Sequence, residues 1–547
     1  MQTIKAKFSV IGADVTKRCI LVCSFSAVAG VGFGYDFTWW GSILGSVHFN
    51  QVYGEKEVPL PTGDTTRILS TNQTSVGTGL GAVGLVLGCL VASYFNETFG
   101  RKRTILGVVA GVGIIGTLIQ ALSVIPHSYW TCVIGKMIIN ASLGTAITVV
   151  PLYMSECAPP AARGGFVALY SMFQAFGVLL GSIVIYIIID EMSMINYLLP
   201  IMLQAILPLF LLATVPFICP ESPRWLATKG RLDEATAVLD SLRPKTADSH
   251  EQHMKESIEI KASFDAQSSS GGEGSWIDLF RKGNLKRTLT VIGYQCLQQA
   301  QGASFMTYYL VVTFLGMGIS NVYLVLIGFG IWGMGIAFVC LFLPDLIGRR
   351  ALLLGGSCLM FGGLIVVAAV GGTVVQPTGA LANLVIASIF FWSLGFSGGW
   401  GSVVWLISAE IPARPVAEKT MALGGASQFA ISVLITFVAP YIQNPGYGNL
   451  GPKICYIFSA FCLVAFMFVY LLVPETAGRS IFEIEQMYEA GLPARKFKSY
   501  DSSNLVAEKQ KELGLEEEKL SVPDKMELDD KDREISHFED SRGQAFA

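Results

Sequence analysis

Long apolar runs alternate with short polar segments along most of the chain. Charge-poor runs begin near residues 20, 75, 104, 129, 163 and 196, and again near residues 286, 321, 350, 381, 419 and 453. Each run is long enough to cross a bilayer once, since one crossing takes about 20 apolar residues. The pattern predicts an all-α membrane protein with about twelve transmembrane helices.

A polar segment separates the first six runs from the last six. The division predicts a cytoplasmic N-terminus 1–19, a six-helix half 20–219, a linker 220–285, a second six-helix half 286–473 and a cytoplasmic tail 474–547. The tail is rich in Glu, Asp and Lys, so we expect most of it to be disordered.

The linker contains its own helical pattern. Apolar residues recur at helical spacing at Leu232, Ala235, Leu239 and Leu242. This spacing predicts a short amphipathic helix against the membrane face of the protein.

Basic residues cluster at one end of the predicted helices. The clusters are Lys17-Arg18, Arg101-Lys102-Arg103, Lys286-Arg287 and Arg349-Arg350. Because Lys and Arg accumulate on the cytoplasmic side of membrane proteins, both termini and the linker are expected in the cytoplasm. We expect the membrane to be the plasma membrane.

Composition narrows the function classes. The chain is 52% hydrophobic and 14% charged, with a mean hydropathy of +0.53, and its net charge of −3 gives no reason to expect a nucleic-acid partner. The eleven cysteines are scattered, and the five histidines form no motif with a nucleophile or paired acids. We therefore expect no metal, no cofactor and no enzymatic activity.

The two halves repeat short motifs. Gly100-Arg101-Lys102 recurs as Gly348-Arg349-Arg350, an offset of 348 − 100 = 248 residues, and Glu156 recurs as Glu410, an offset of 410 − 156 = 254. The pair Pro220-Glu221 recurs as Pro474-Glu475 with the same offset of 254. Near-equal offsets predict two parallel halves with a substrate site between them.

Five motifs together resemble the sugar porter family of the major facilitator superfamily. They are Gly34-Tyr35-Asp36, the segment Glu97 to Lys102, the segment Pro151 to Gly164, Pro220-Glu221-Ser222-Pro223-Arg224, and the segment Pro474 to Arg479. The resemblance implies a fold of twelve helices and transport of a sugar by alternating access.

Charged residues in these motifs are candidates for a gate of salt bridges that form in one conformation and separate in another. The candidates are Glu97, Arg101, Glu156, Arg163, Glu221 and Arg224 in the first half, with Asp345, Arg349, Glu410, Glu475 and Arg479 in the second. The alternative is that these residues only set topology. After Glu410, only Lys419 keeps the family's register, and Arg414 is displaced by one position.

Asp36 lies inside the first apolar run, where a carboxylate costs about 2.5 to 3.5 kcal/mol on insertion scales. In proton-coupled members of the family, an Asp at this position pairs with a basic residue, which the resemblance places at Lys136. The resemblance implies proton symport, in which protonation of Asp36 breaks its ion pair with Lys136. A permanent structural ion pair is the alternative.

The seventh run carries Gln298, Gln299 and Tyr308, which resemble the family's sugar-binding motif, and Trp405 is in register with its pocket tryptophan. Amides suit sugar hydroxyls because they both donate and accept hydrogen bonds. The alternative is that these glutamines only link helices.

Small polar residues replace longer ones at other positions of the family's hexose site. Ser304 stands for an asparagine and Ser171 for a glutamine, with Gln174 as a substitute one turn on. Fewer hydrogen-bonding groups predict a wider and less polar pocket. We therefore expect the substrate to be a hexose or disaccharide, with a polyol or a cyclic acid such as quinate as alternatives. For the function itself, the alternatives to proton symport are a facilitative uniporter and a sugar sensor that does not transport.

Overall fold

The structure is a computed structural model, and it describes most of the chain. The described residues are 15–59, 65–159, 163–244, 249–269, 275–319, 321–340, 343–374, 376–413, 416–477, 479 and 481–500.

The first half consists of six long helices and a small hairpin. Its elements are α1 (Lys17–Ile43), α2 (Val47–Tyr53), β1 (Lys56–Pro59), β2 (Thr65–Ile68), α3 (Thr71–Phe99), α4 (Arg101–Leu122), α5 (Tyr129–Cys157), α6 (Arg163–Ile188) and α7 (Ile195–Ile218). The strands β1 and β2 pair antiparallel between α2 and α3. A π-helical stretch, Ile105–Val112, lies within α4.

The linker and the second half follow. The linker contains α8 (Pro223–Thr228), α9 (Leu232–Leu242), α10 (Ser249–Ser269) and the 3-10 turn Trp276–Phe280. The second half contains α11 (Lys282–Ala300), α12 (Ala303–Gly316), α13 (Val322–Cys340), α14 (Leu343–Ile347), α15 (Arg349–Thr373), α16 (Ala380–Gly395), the π turn Phe396–Trp400, α17 (Gly401–Glu410), α18 (Ala417–Gln443) and α19 (Cys455–Leu472). After it come α20 (Ile481–Glu489) and the 3-10 turn Ala494–Ser499.

Within the described residues, eleven helical segments are long and apolar enough to cross a membrane. The twelfth crossing consists of α11 and α12, which are separated at Gln301 and Gly302. Gly302 has φ 93, a left-handed conformation that glycine adopts without a steric penalty. The prediction of twelve crossings is therefore confirmed, whereas the break in the seventh was not predicted.

Glycines allow helices of the first half to approach closely. A Cβ atom at Gly34 of α1 would lie 2.0 Å from the main-chain oxygen of Gln174 in α6, and one at Gly177 would lie 2.1 Å from that of Val31. Side chains at these positions would separate the two backbones. Small residues at helix contacts serve the same purpose in many membrane proteins.

The bundle has two distinct ends. We call the end with the start of α1, the linker and the end of α19 the linker end, and the opposite end, with β1 and β2, the hairpin end. Within the described residues, the hydrogen bonds between the halves lie at the hairpin end: Ser75 Oγ donates to the Phe437 oxygen at 2.5 Å, and Asn444 Nδ2 donates to Thr71 Oγ1 at 3.1 Å. Tyr441 also donates to Asn72, at 3.3 Å.

The linker packs on the linker end of the first half. The predicted amphipathic helix is confirmed as α9, which buries Ala235, Leu239 and Leu242. Thr16 Oγ1 donates to the Leu242 oxygen at 2.6 Å, so the linker also contacts the start of α1. In the predicted tail, residues 481–500 are ordered and bury Phe497, whereas the rest of that prediction falls on residues 501–547, outside the described part.

Candidate functional site

A buried ion pair lies in the first half, about two helical turns from the hairpin end. The Nζ atom of Lys136 in α5 is 2.5 Å from the Oδ2 atom of Asp36 in α1, and the two side chains are 0% and 1% exposed. Removing one partner of such a pair leaves an uncompensated buried charge. The structure thus brings together the two residues that the resemblance paired.

Polar and aromatic side chains surround this pair. Gln204 of α7 forms hydrogen bonds with both of its neighbours in one orientation of its amide. Its nitrogen then donates to Asp36 Oδ1 at 3.0 Å, and its oxygen accepts from Trp39 Nε1 at 3.1 Å. The Lys136 ammonium group lies 5.2 Å from the ring centroid of Trp40. The carboxylate therefore has a second hydrogen-bond donor, and the ammonium group has a cation–π contact.

An array of polar side chains begins at the break between α11 and α12. Ser304 Oγ donates to Gln299 Oε1 at 2.7 Å and lies 2.7 Å from Ser432 Oγ of α18. Tyr309 fixes α12 to the same helix by donating to the Thr436 oxygen at 2.7 Å. The small Ser304 side chain is therefore engaged within the protein, where it orients Gln299.

Further amides next to this array have unused acceptor atoms. Gln298 Nε2 donates to the Trp400 oxygen at 2.6 Å. Within the described part of the chain, its Oε1 atom has no hydrogen-bond partner, and neither does Oε1 of Gln428, one turn before Ser432 on α18. Trp405 faces α18 nearby, because a Cβ atom at Gly425 would lie 3.4 Å from its ring. Amides beside an aromatic ring form the kind of surface that binds a sugar.

The remaining predicted substrate residues lie at the boundary with the first half or within it. The Tyr308 ring stacks on that of Phe37 in α1, with centroids 5.1 Å apart, so α12 contacts the helix that carries Asp36. Gln174 and Ser171 lie on α6 in the first half, where Gln174 is half-buried and Ser171 is exposed. Their roles stay predictions.

A second group of charged residues lies at the linker end of the first half. The Arg101 guanidinium pairs with the Glu156 carboxylate through two contacts, Nε to Oε2 at 2.9 Å and Nη2 to Oε1 at 2.8 Å. Ser222 Oγ donates to the same carboxylate at 2.6 Å. Two parallel contacts of this kind are stronger and more directional than a single one.

Glu221 caps the start of α4. Its Oε1 atom accepts from the main-chain nitrogens of Arg101 and Lys102, at 2.8 and 3.0 Å. A carboxylate is favourable there because free N–H groups and the helix dipole make the N-terminus of a helix positive. Gly100 precedes the helix with φ 93, and a Cβ atom on it would lie 2.5 Å from Glu221 Oε2.

The second half repeats this arrangement residue by residue. Arg349 pairs with Glu410 at 3.2 Å, and Thr476 Oγ1 donates to Glu410 at 2.5 Å. Glu475 accepts from the main-chain nitrogens of Arg349 and Arg350, at 2.9 and 3.1 Å. These are the positions related by the offsets of 248 and 254 residues. Each ion pair joins residues of a single half, Arg101–Glu156 in the first and Arg349–Glu410 in the second. Their role as a gate between conformations stays a prediction.

The other predicted gate residues have different surroundings. Arg479 donates to the main-chain oxygens of Phe497 and Tyr500, at 3.1 and 2.5 Å, and fixes the segment after α20. Glu97 and Arg224 have exposed side chains. The side chains of Arg163 and Asp345 lie outside the described part of the structure, as does all of Arg414.

Sequence reasoning missed several polar residues of these sites. They are Gln120, Asn140, Gln204, Gln428 and Ser432, all buried. Each stands within an apolar run, where a buried polar side chain requires a partner. That signal was present in the sequence, but the neighbours of these side chains come from other helices and could not be read from it.

Two six-helix halves, a buried charge pair between two helices of the first half and a polar array within the second half define a membrane transporter of the major facilitator type. The model of the sugar (and other) transporter family matches residues 22–488. The chain belongs to this family. It is a multi-pass integral membrane transporter and not an enzyme, as the sequence predicted.

Similar proteins include a sensor and a transporter from yeast. The high glucose sensor RGT2 of Saccharomyces cerevisiae is 31% identical over 478 residues, which are 86% of this chain and 60% of the sensor. The low-affinity glucose transporter HXT3 of the same yeast is 28% identical over 490 residues, which are 88% of this chain and 83% of the transporter. This chain thus spans less than two thirds of the sensor's length and most of the transporter's.

Among solved structures, the xylose transporter XylE from E. coli is similar. Its partially occluded inward-open conformation has a TM-score of 0.68 and 20% sequence identity, covering 85% of this chain and 100% of that chain. Another structure of XylE, described as a proton:xylose symporter bound to 6-bromo-6-deoxy-D-glucose, has a TM-score of 0.67. This likeness confirms the predicted fold.

Proposed function

We propose that the protein imports a sugar together with a proton by alternating access. The observation that carries this proposal is the fully buried Asp36–Lys136 pair. A buried carboxylate that loses its charge on protonation also loses most of its attraction for the ammonium group. Protonation of Asp36 then weakens the contact between α1 and α5 and allows the halves to rearrange.

Support for proton coupling also comes from the fold, since XylE is described as a proton:xylose symporter. Hydrogen bonds between the halves at the hairpin end suit a carrier that is closed at that end. We infer that the linker end is cytoplasmic, because Arg101, Lys102 and Arg103 lie there with Arg349 and Arg350. Both termini are then cytoplasmic, and we propose the plasma membrane as the location.

In the charged clusters, Arg101–Glu156 and Arg349–Glu410 act as gate elements of the two halves. Each joins the start of one helix to the end of another at the linker end. Closure of that end brings the two clusters closer together and changes their partners. Such a switch between discrete arrangements is how packed interfaces convert between states.

The substrate proposed is a hexose or a disaccharide. Gln298, Gln299 and Trp405 offer donors, acceptors and a ring face, and similar proteins include a glucose transporter. The Ser304 hydroxyl is already hydrogen-bonded to Gln299 and Ser432. It therefore offers the hydroxyl groups of a sugar fewer hydrogen-bonding atoms than a longer side chain would. A polyol or a cyclic acid such as quinate is therefore the alternative substrate.

The direct test is uptake of radiolabelled glucose by yeast that lacks its own hexose carriers. We expect saturable uptake, and Gln299→Ala and Trp405→Ala to reduce it at least tenfold with unchanged surface expression. The control is Gln252→Ala, since Gln252 is exposed on α10 in the linker. Saturable uptake that neither Gln299→Ala nor Trp405→Ala reduces would contradict the assigned site. If the wild-type protein takes up no glucose, the same assay is repeated with disaccharides, polyols and quinate.

Proton coupling is tested separately by uptake between pH 5 and pH 8, with the external pH of an unbuffered cell suspension recorded. We expect acid-stimulated uptake, an alkaline shift when sugar is added, and loss of both in Asp36→Asn. Uptake that is indifferent to pH and to this substitution would indicate a uniporter. The similarity to a glucose sensor makes sensing the second candidate, for which sugar would bind to purified protein without any uptake.

A further inference from the structure

Asn140 is a buried side chain for which the mechanism so far gives no use. It lies on α5 one turn beyond Lys136 and is 0% exposed. Within the described part of the chain, neither its Oδ1 nor its Nδ2 atom has a hydrogen-bond partner. A buried amide without partners costs about 1–3 kcal/mol, so its presence here requires an explanation.

The position of Asn140 relates it to Lys136. Residues four apart on a helix lie on the same face. Both side chains also converge on Gly81 of α3: a Cβ atom there would lie 2.9 Å from Asn140 Nδ2 and 3.5 Å from Lys136 Cε. The amide and the end of the lysine side chain thus lie within 3.5 Å of one point. The Asn140 atom at that point is the nitrogen, a donor, so the amide has to turn over before its oxygen can accept a hydrogen bond from the ammonium group.

Protonation of Asp36 creates a demand for such a group. The carboxylate gains the proton, while Lys136 keeps its charge and has no access to water, since it is 0% exposed. A buried ammonium group needs a new acceptor. The other groups facing the pair are the rings of Trp39 and Trp40, the amide of Gln204, the Cys132 thiol and the hydroxyls of Tyr35 and Tyr308. The Gln204 amide oxygen already accepts from Trp39 Nε1, whereas Asn140 has an amide oxygen without a partner, within the described part of the chain, on the same helix face as Lys136.

We propose that Asn140 is the second acceptor for Lys136 and holds its ammonium group while Asp36 is protonated. This inference rests on the proton-coupled function proposed above. The amide oxygen accepts one N–H of the ammonium group, and the Trp40 ring keeps its cation–π contact. Asn140 is thus a positioning residue of the protonated carrier and makes little contribution in the deprotonated one.

The test is a double-mutant cycle on the purified full-length protein, measured as the midpoint of thermal unfolding in detergent. Asp36→Asn stands in for the protonated carboxyl group. We expect Asn140→Ala to change the midpoint little in the wild-type background and to lower it by about 2 °C or more in the Asp36→Asn background. Asn140→Ser, which keeps an oxygen but removes a similar volume, should recover part of that loss.

Three results would overturn the inference. The first is that the effects of Asn140→Ala and Asp36→Asn on the unfolding midpoint are additive. The second is that the Ala and Ser variants at position 140 lower the midpoint equally. The third is that Tyr308→Phe, and not Asn140→Ala, has a non-additive effect with Asp36→Asn. The cycle needs neither a known sugar nor transport. Uptake that is insensitive to pH in the wild type would instead refute the proton symport itself, so the two failures are distinguishable.

Discussion

Alanine in place of Gly100 is a sharp test of how the linker end is assembled. Gly100 has φ 93 and ψ 169, and a Cβ atom on it would lie 2.5 Å from Glu221 Oε2. The substitution therefore perturbs both the backbone conformation before α4 and the carboxylate that caps this helix. We expect Gly100→Ala to destabilise the protein strongly.

The magnitude follows from two contributions. The backbone conformation is almost exclusive to glycine, and holding another residue in it costs about 1–3 kcal/mol. Displacing the Glu221 carboxylate weakens its hydrogen bonds to the nitrogens of Arg101 and Lys102, and hydrogen bonds to charged groups contribute about 1.5–3 kcal/mol. Because Glu221 is partly exposed, we take about 2 kcal/mol for this loss and expect about 3–5 kcal/mol in total.

The assay is thermal unfolding of the purified protein in detergent, with Gly107→Ala as the matched control. Gly107 also lies in α4, but no atom lies within 4 Å of a Cβ placed on it, so alanine there should be neutral or slightly stabilising. In a Glu221→Ala background, the steric part disappears and Gly100→Ala should cost only the backbone contribution. The double variant should then be about 2 kcal/mol more stable than additivity predicts.

The repeat supplies an independent second measurement. Gly348 has φ 97, and a Cβ atom on it would lie 2.6 Å from Glu475 Oε2. Gly348→Ala should therefore behave like Gly100→Ala. The reasoning would be refuted if Gly100→Ala unfolded at the same temperature as Gly107→Ala, or if its effect were additive with that of Glu221→Ala.

Two further predictions concern charged groups at the linker end. Arg101→Ala should lower the free energy of unfolding by about 2–4 kcal/mol, because it leaves the Glu156 side chain, which is 3% exposed, without its ion pair. Arg231→Ala is the control in the same melts. Its ion pair with Glu234 is exposed, so the free energy of unfolding should change by under about 0.5 kcal/mol. Burial opposes ionisation of Asp240, but hydrogen bonds from two linker histidines outweigh it and hold its pKa below the usual range. The contact of this carboxylate with His253 should therefore stabilise the linker above about pH 4 and be lost on acidification, so melts of Asp240→Asn and wild type should differ at pH 7 and converge near pH 3.

The fold was largely predictable because hydrophobicity along a membrane protein is a local signal. Each apolar run had to become a helix, since only helices and closed barrels satisfy the backbone inside a bilayer. The repeat of Gly100 to Lys102 at Gly348 to Arg350 even indicated the two halves. The break at Gly302 was not predicted, because the run from Thr288 to Gly316 carries no charged residue and its glutamines were interpreted as a sugar-binding motif.

The sites were predictable in their residue types and not in their contacts. A charge or amide in an apolar run is conspicuous, so Asp36, Lys136, Gln298 and Gln299 could be named from the sequence. The sequence by itself determined a twelve-helix transporter with those polar groups inside it. Only the tertiary structure decided that Ser304 engages Gln299, and that polar groups of α4, α7 and α18 surround these sites, because such neighbours are set by packing between segments far apart in the chain.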